Sequence, residues 1–216
     1  MRIAAPGPSS RLHAPVAGLL ADLFPGLARQ HSRALWHSAA GDSLVLCRGF
    51  DVPQLVASGF ADIGICGYDV GVEWSLRHGR PLFMWALPEV RTSFVTYCTV
   101  SGREVSTIYT EYPAITEAWT RSTSQLRDVR VVTLHGSTEG VIRSDPAGAG
   151  VLLVTSGDTL RANGLDHDVP LLATDVCVVS RTPDVTDPRL IDVAALLDVG
   201  MPSFGKLAAN GAGRRG

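Results

Sequence analysis

The sequence predicts an α/β protein with mainly parallel strands, and three observations predict it. Short apolar runs rich in Val and Ile alternate with helical patterns along the chain. The run Asp62-Ile63-Gly64-Ile65-Cys66 is a buried strand that opens onto Gly67-Tyr68-Asp69, the kind of carboxyl edge at which ligands collect in α/β sheets. Composition is that of an ordinary globular chain: 216 residues, 45% hydrophobic and 19% charged, enough for one large core or two small ones.

The elements follow in order. Arg2 to Ala5 is a first strand and Pro6 to Ser10 a loop. A helix comes next, with Leu12, Val16, Leu19, Leu20 and Leu23 on one face and a stop near Pro25-Gly26. Leu44 to Cys47 is a strand, and Asp51 with Pro53 opens a helix that ends at Gly59. From Arg91 to Val100 a polar and aromatic strand begins a second lobe. That lobe continues with strands at Ser106–Thr110 and Val129–Leu134, a helix after Pro113, and a strand at Val151–Val154. Asp175 to Val179 is again a strand, and Pro188 to Leu197 a helix. The expected organisation is lobe one from 1–90 plus 176–205, lobe two from 91–175, and a disordered tail over 206–216.

The formal charge of −2 and scattered arginines leave no basic footprint for nucleic acid. The N-terminal segment has no sustained apolar region and no later stretch is long and charge-free enough to span a bilayer, so a cytoplasmic protein with no membrane partner is expected. Cys47, Cys66, Cys98 and Cys177 sit singly in apolar runs without CxxC spacing, and read as buried free thiols. His13, His31, His37, His78 and His167 show no metal-ligand pairing and are assigned to the surface. The four tryptophans read as core or interface aromatics.

Two loops carry the chemistry. In Val151-Leu152-Leu153-Val154-Thr155-Ser156-Gly157-Asp158-Thr159-Leu160 an apolar strand runs into hydroxyls and glycine and then into a short helix closed by Gly164. Backbone N–H groups at such a helix start, with the hydroxyls of Thr155, Ser156 and Thr159, make a phosphate cradle through Asp158; the competing reading is an ordinary capped turn. In Leu134-His135-Gly136-Ser137-Thr138-Glu139 a strand end carries an imidazole and a carboxylate. Glu139 there is a substrate contact and His135 a proton acceptor, or else Glu139 closes a capping box.

Four segments in one order resemble the ATP phosphoribosyltransferases of histidine biosynthesis: Ile3-Ala4-Ala5-Pro6 with Arg11-Leu12; Asp51-Val52-Pro53 leading to Ala61 through Asp69; Thr110-Glu111-Tyr112-Pro113; and Gly136 through Glu139 leading to Thr155 through Leu165. The resemblance implies a two-lobed fold like the periplasmic binding proteins, the type IV phosphoribosyltransferase fold, with substrates in a cleft between lobes. It implies the short form of the family, a homo-oligomer working with a separate regulatory subunit related to histidyl-tRNA synthetases. It also implies that Arg11, Arg91, Tyr68, Asp69 and Tyr112 bind substrate and that Arg48 joins Glu139 and His135 in catalysis. Mg²⁺ is usual for the family, though no metal ligands are assigned here.

Three departures stand out. The family's acidic pattern Asp-Ala-x-x-Asp at the start of the phosphate-loop strand is replaced at its acidic positions by Gly148 and Leu152, its Lys-Gly-Arg-Leu reads Ser9-Ser10-Arg11-Leu12, and a basic residue expected before Ile108 is Thr107. A sugar diol at 148 and 152 would lose charge-assisted hydrogen bonds worth roughly 1.5–3 kcal/mol each. The expectation drawn from this is a glycosyltransferase with an altered, phosphate-activated sugar donor. Its acceptor would be a ring nitrogen or thiol of an imidazole- or purine-like molecule such as ergothioneine, in specialised antibiotic metabolism. The alternatives are the housekeeping ATP phosphoribosyltransferase reaction and a non-catalytic bilobal binding module.

Overall fold

A computed structural model of the chain describes residues 1–29, 35–87 and 93–183. Arg91, His31, the helix expected over Pro188–Leu197 and the tail over 206–216 lie outside the described residues. The described residues form two compact units, one of residues 1–87 with 175–183 and one of 93–174.

The first unit is built on a six-stranded sheet of order β2-β3-β1-β4-β11-β5. Its strands are β1 (Arg2–Pro6), β2 (Leu35–His37), β3 (Ser43–Cys47), β4 (Ile63–Gly67), β5 (Phe83–Ala86) and β11 (Val176–Ser180). β1 runs parallel to β3 and β4, while β2, β5 and β11 pair antiparallel. The expected parallel sheet is therefore the centre of a mixed one. Every residue of β4 is buried, the mark of a strand covered on both faces. Helix α2 (Val52–Ala57) lies so close over β4 that a side chain at Gly64 would collide with Val52 and Val56. Helix α3 (Tyr68–His78) starts at the residue after β4 and ends on left-handed Gly79.

Helix α1 (His13–Leu19) is shorter than its apolar stripe suggests; the chain turns after Leu20, so that Leu20, Phe24 and Leu27 still reach the core. That core joins Val16, Ala17, Leu20 and Phe24 to Ile3, Ala5, Leu44, Leu46, Ile63 and Ile65.

The second unit holds a five-stranded sheet of order β10-β6-β9-β7-β8. Its strands are β6 (Ser93–Thr99), β7 (Thr107–Thr110), β8 (Arg130–Thr133), β9 (Gly148–Val154) and β10 (Asp166–Thr174). β7, β8 and β9 are parallel, and β6 is antiparallel to both β9 and β10. Three helices follow the parallel strands or their loops: α4 (Pro113–Ser122), α5 (Thr138–Ser144) and α6 (Asp158–Ala162). Parallel strands put their carboxyl ends on one edge, so each unit gathers its strand-following loops at a single edge of its own sheet.

Candidate functional site

At the carboxyl edge of the first sheet, the ends of β1, β3 and β4 bring together residues far apart in sequence. Arg11 is exposed in the loop between β1 and α1, and Arg48 is exposed in the residue after β3. Tyr68 opens α3 half-buried, and its backbone N–H donates to the carbonyl of Asp175 at 2.9 Å. Burial pushes the Tyr68 phenol above its ordinary range, with the Cys177 thiol a lesser cause. Asp69 is 2% exposed in the first turn of α3, and its carboxylate occupies the space that a side chain on Gly67 would need. One turn on, Glu73 is also buried. Beneath them Cys66 and Cys177 face each other across β4 and β11; the hydrogen bond between the thiols, followed by burial, pushes Cys66 well up, so it remains a thiol.

The edge of the second sheet collects the loops after β7, β8 and β9. Thr155, Ser156, Asp158 and Thr159 are exposed, and Gly157 takes a left-handed φ of 74° as the residue ahead of α6. Thr155 Oγ1 pairs with Ser93 Oγ at 2.8 Å, tying the loop to the start of β6. Ser156 Oγ donates to Asp158 at 2.6 Å, and Arg161 donates to the Ser156 carbonyl at 2.9 Å and to the Asp158 carboxylate. Ser156 and then Arg161 hold the Asp158 carboxyl below its usual range. The main-chain N–H groups of Ser156 and Gly157 make no hydrogen bond among the described residues, which leaves two donors free to take an anion. Asp158 places a carboxylate beside that cradle, and its pairing with Arg161 offsets the charge.

In the loop after β8, Ser137 precedes α5 with φ 55° and its side chain makes no cap hydrogen bond, so the capping-box reading of Glu139 falls. His135 is exposed and Glu139 half-buried. Burial, and then the charge of Glu139, push the Cys98 thiol up to about 12. Tyr112 departs from expectation. It is 2% exposed and immediately precedes α4, so its side chain is buried rather than presented at the open edge of the sheet.

His13 departs as well: assigned to the surface, it is 8% exposed. The signal was in the sequence, since positions 13, 16, 17 and 20 form the buried face of α1. His37 and His78 are exposed. Ser93 was overlooked because nothing in its own segment points across the sheet to Thr155.

The positions that departed from the family pattern are packing positions here. Leu152 is 7% exposed and sits with Cys98, Ile142, Leu160 and Leu165 in the core of the second unit. A side chain at Gly148 would press on Asp145 Cβ at 2.9 Å, and the Gly148 carbonyl accepts from Arg103 at 2.9 Å. Thr107 is buried. Among the described residues no group of three or more His, Cys, Asp or Glu could hold a metal ion. A protein-held Mg²⁺ does not fit this strand, which brings an alkyl group and a bare backbone where carboxylates would be needed.

Two α/β units, each gathering its loops at the carboxyl edge of its own sheet, define the architecture of the periplasmic-binding-protein-like class. A solved alkanesulfonate-binding protein from Xanthomonas axonopodis pv. citri, bound to MOPS, superposes with a TM-score of 0.56 at 16% identity, covering 92% of this chain and 71% of that one. The ATP phosphoribosyl transferase (HisG:HisZ) complex from Thermotoga maritima superposes with a TM-score of 0.71 at 24% identity, covering 91% and 94%. The family model for ATP phosphoribosyltransferase matches residues 48–197. The ATP phosphoribosyltransferase of Halobacterium salinarum is 30% identical over 217 residues, 95% of this chain and 74% of its own length. The chain belongs to the ATP phosphoribosyltransferase family.

These findings overturn the expectation of an altered-donor glycosyltransferase in specialised metabolism, since the matched family and relatives carry the name of the phosphoribosyl reaction. The physical reason is the packing just described: Leu152 belongs to a core and Gly148 lies tight against Asp145, so their lack of carboxylates says nothing about a different sugar. No helix among the described residues is long and apolar enough to cross a membrane.

Proposed function

We propose that this chain is the catalytic unit of an ATP phosphoribosyltransferase. It transfers the phosphoribosyl group of phosphoribosyl pyrophosphate to a ring nitrogen of ATP, with pyrophosphate leaving. The observation that carries the reading is the family match over residues 48–197, which takes in the whole of the 155–159 loop with its two free N–H donors. Bond making to C1 of the ribose and bond breaking to pyrophosphate need two anionic substrates held in line and an electron-poor carbon stabilised, a task of positioning and electrostatics.

In this reading the N–H groups of Ser156 and Gly157, with the hydroxyls of Thr155, Ser156 and Thr159, hold the donor's 5′-phosphate. Arg11 and Arg48 offset diphosphate and triphosphate charge. Tyr68 and Asp69 form the wall beside the acceptor. Glu139 accepts from substrate hydroxyls, and His135 takes a proton. Any divalent cation arrives on the substrate's diphosphate. By its likeness to the HisG:HisZ complex, the chain works as an oligomer with a separate regulatory subunit.

The test is to incubate the full chain with ATP and phosphoribosyl pyrophosphate, alone and with a histidyl-tRNA-synthetase-like subunit, and to follow pyrophosphate release and phosphoribosyl-ATP. Turnover is expected in at least one condition. Tight ATP binding with no pyrophosphate release in either overturns the reading in favour of a ligand-binding module, and light scattering that finds only monomers removes the oligomer.

A further inference from the structure

His13 is the first residue of α1, and its imidazole is buried with one ring nitrogen unused. Nδ1 lies 3.1 Å from the carbonyl oxygen of Pro6, the last residue of β1. A carbonyl can only accept, so Nδ1 carries the hydrogen and donates it. Nε2 is out of contact with solvent and has no hydrogen-bond partner among the described residues. The ring therefore has one polar anchor, and that anchor joins the two ends of the loop from Gly7 to Leu12.

The rest of the loop is a chain of short turns. Gly7 N–H donates to the Cys47 carbonyl at 2.7 Å, Ser10 N–H to the Gly7 carbonyl at 2.9 Å and His13 N–H to the Ser10 carbonyl at 3.0 Å; Leu12 N–H reaches Ser10 Oγ at 3.2 Å. Arg11 lies inside this closed loop, exposed at the carboxyl edge of the first sheet.

Packing alone does not account for an imidazole here. The face it shares with Val16, Ala17 and Leu20 is apolar, and a leucine would fill it without burying a nitrogen that lacks a partner. We propose that His13 is a positioning residue: its Nδ1–H bond to Pro6 holds the Gly7–Leu12 loop in the conformation that presents Arg11 to the diphosphate of the substrate. An arginine on a loose loop loses rotamer and backbone freedom when it takes an anion, and clamping the loop removes part of that cost beforehand. The inference rests on reading Arg11 as an anion-binding cation, as in the proposed function.

The test uses binding of inorganic pyrophosphate to the full chain by calorimetry, which needs no turnover and so stands apart from the fate of the phosphoribosyl reaction. His13→Asn places an amide nitrogen where Nδ1 was and keeps the bond; His13→Gln and His13→Leu lose it, and Leu preserves the apolar packing. Pyrophosphate affinity should fall about tenfold in the Gln and Leu variants and stay within about twofold of the parent in the Asn variant. In an Arg11→Ala background the same His13 changes should have no further effect. The proposal is overturned if Arg11→Ala binds pyrophosphate as tightly as the parent, if Asn behaves like Gln, or if the His13 loss persists in full without Arg11. Should the Leu variant not fold, the contrast between Asn and Gln decides alone.

Discussion

At the β4–α3 junction the strand passes into the helix with no intervening residue, whereas at the β9–α6 junction Thr155, Ser156 and Gly157 stand between them. Both junctions expose the N–H donors of a first helical turn, which favour negative charge. The first meets that need from within: Asp69 is buried and folds back over Gly67, so the chain supplies its own anion. The second leaves two N–H groups of its loop unpartnered and places its carboxylate, Asp158, outward against Arg161. A strand-to-helix turn thus becomes a ligand cradle through what it does not satisfy internally.

The largest effect that would probe this comparison is on the floor of the open junction. Leu152→Asp puts a carboxylate among Cys98, Ile142, Leu160 and Leu165 and should destabilise the second unit by upwards of about 3 kcal/mol, read from denaturant melts. A stable variant that gains phosphoribosyl pyrophosphate affinity would show that position 152 faces the sugar after all. Next comes Gly157→Val, which forces a β-branched residue to a φ of 74° at a strain cost of about 1–2 kcal/mol. It should weaken phosphoribosyl pyrophosphate binding at least tenfold, on the order of one lost charge-assisted hydrogen bond; unchanged affinity by calorimetry would close the open junction.

Gly67→Ala is the matching change at the closed junction. It displaces the Asp69 carboxylate, and the expected cost is about 1 kcal/mol of stability with donor affinity untouched, because no phosphate is held there. The smallest effect is electrostatic. The Asp158 carboxyl sits below its ordinary 3.8 through Ser156 and Arg161, so its contribution is fully present above that value and is lost as pH falls through the lowered one. The group is exposed, so the effect is small: Asp158→Asn should lower stability slightly at neutral pH, and the difference from the parent should vanish as pH falls below 3.8 and the parent's carboxylate is protonated. A carboxyl carbon titrating at or above 3.8 by NMR would deny the pairing with Ser156 and Arg161.

The strands built from Val and Ile runs were legible in the sequence: β1, β3, β4, β7, β8, β9 and β11 fall within a residue or a few of expectation. What escaped has physical reasons. α3 has no polar stripe in its first two turns, since Asp69 through Trp74 are all buried, and no loop announces its start. β10 carries Asp166, Asp168 and Pro170, a composition tolerated because among the described residues it is an edge strand paired only with β6. The cradle loop could be read from glycine and hydroxyl spacing alone. Tyr112, expected at the substrate, is buried; in sequence, a tyrosine after a strand looks the same facing a ligand or a core. The departures at 148 and 152 were legible as departures, but only packing reveals that they are interior.

The place of β11 has a consequence for how the chain is made. Among the described residues β5 pairs with β11 and with no other strand, and β11 also covers the flank of β4, yet β11 emerges only after the described part of the second unit has been synthesised. From Ala86 to Val176 a ribosome working at 5–20 residues per second needs roughly 5–18 s. During that interval β5 is an orphan segment and β4 a bare apolar edge, while the second unit, contiguous in sequence, can complete its sheet. Nascent chains stalled before β11 should therefore protect the second unit from protease and leave the first one open, which makes this late strand the latch that ends the folding of the molecule's beginning.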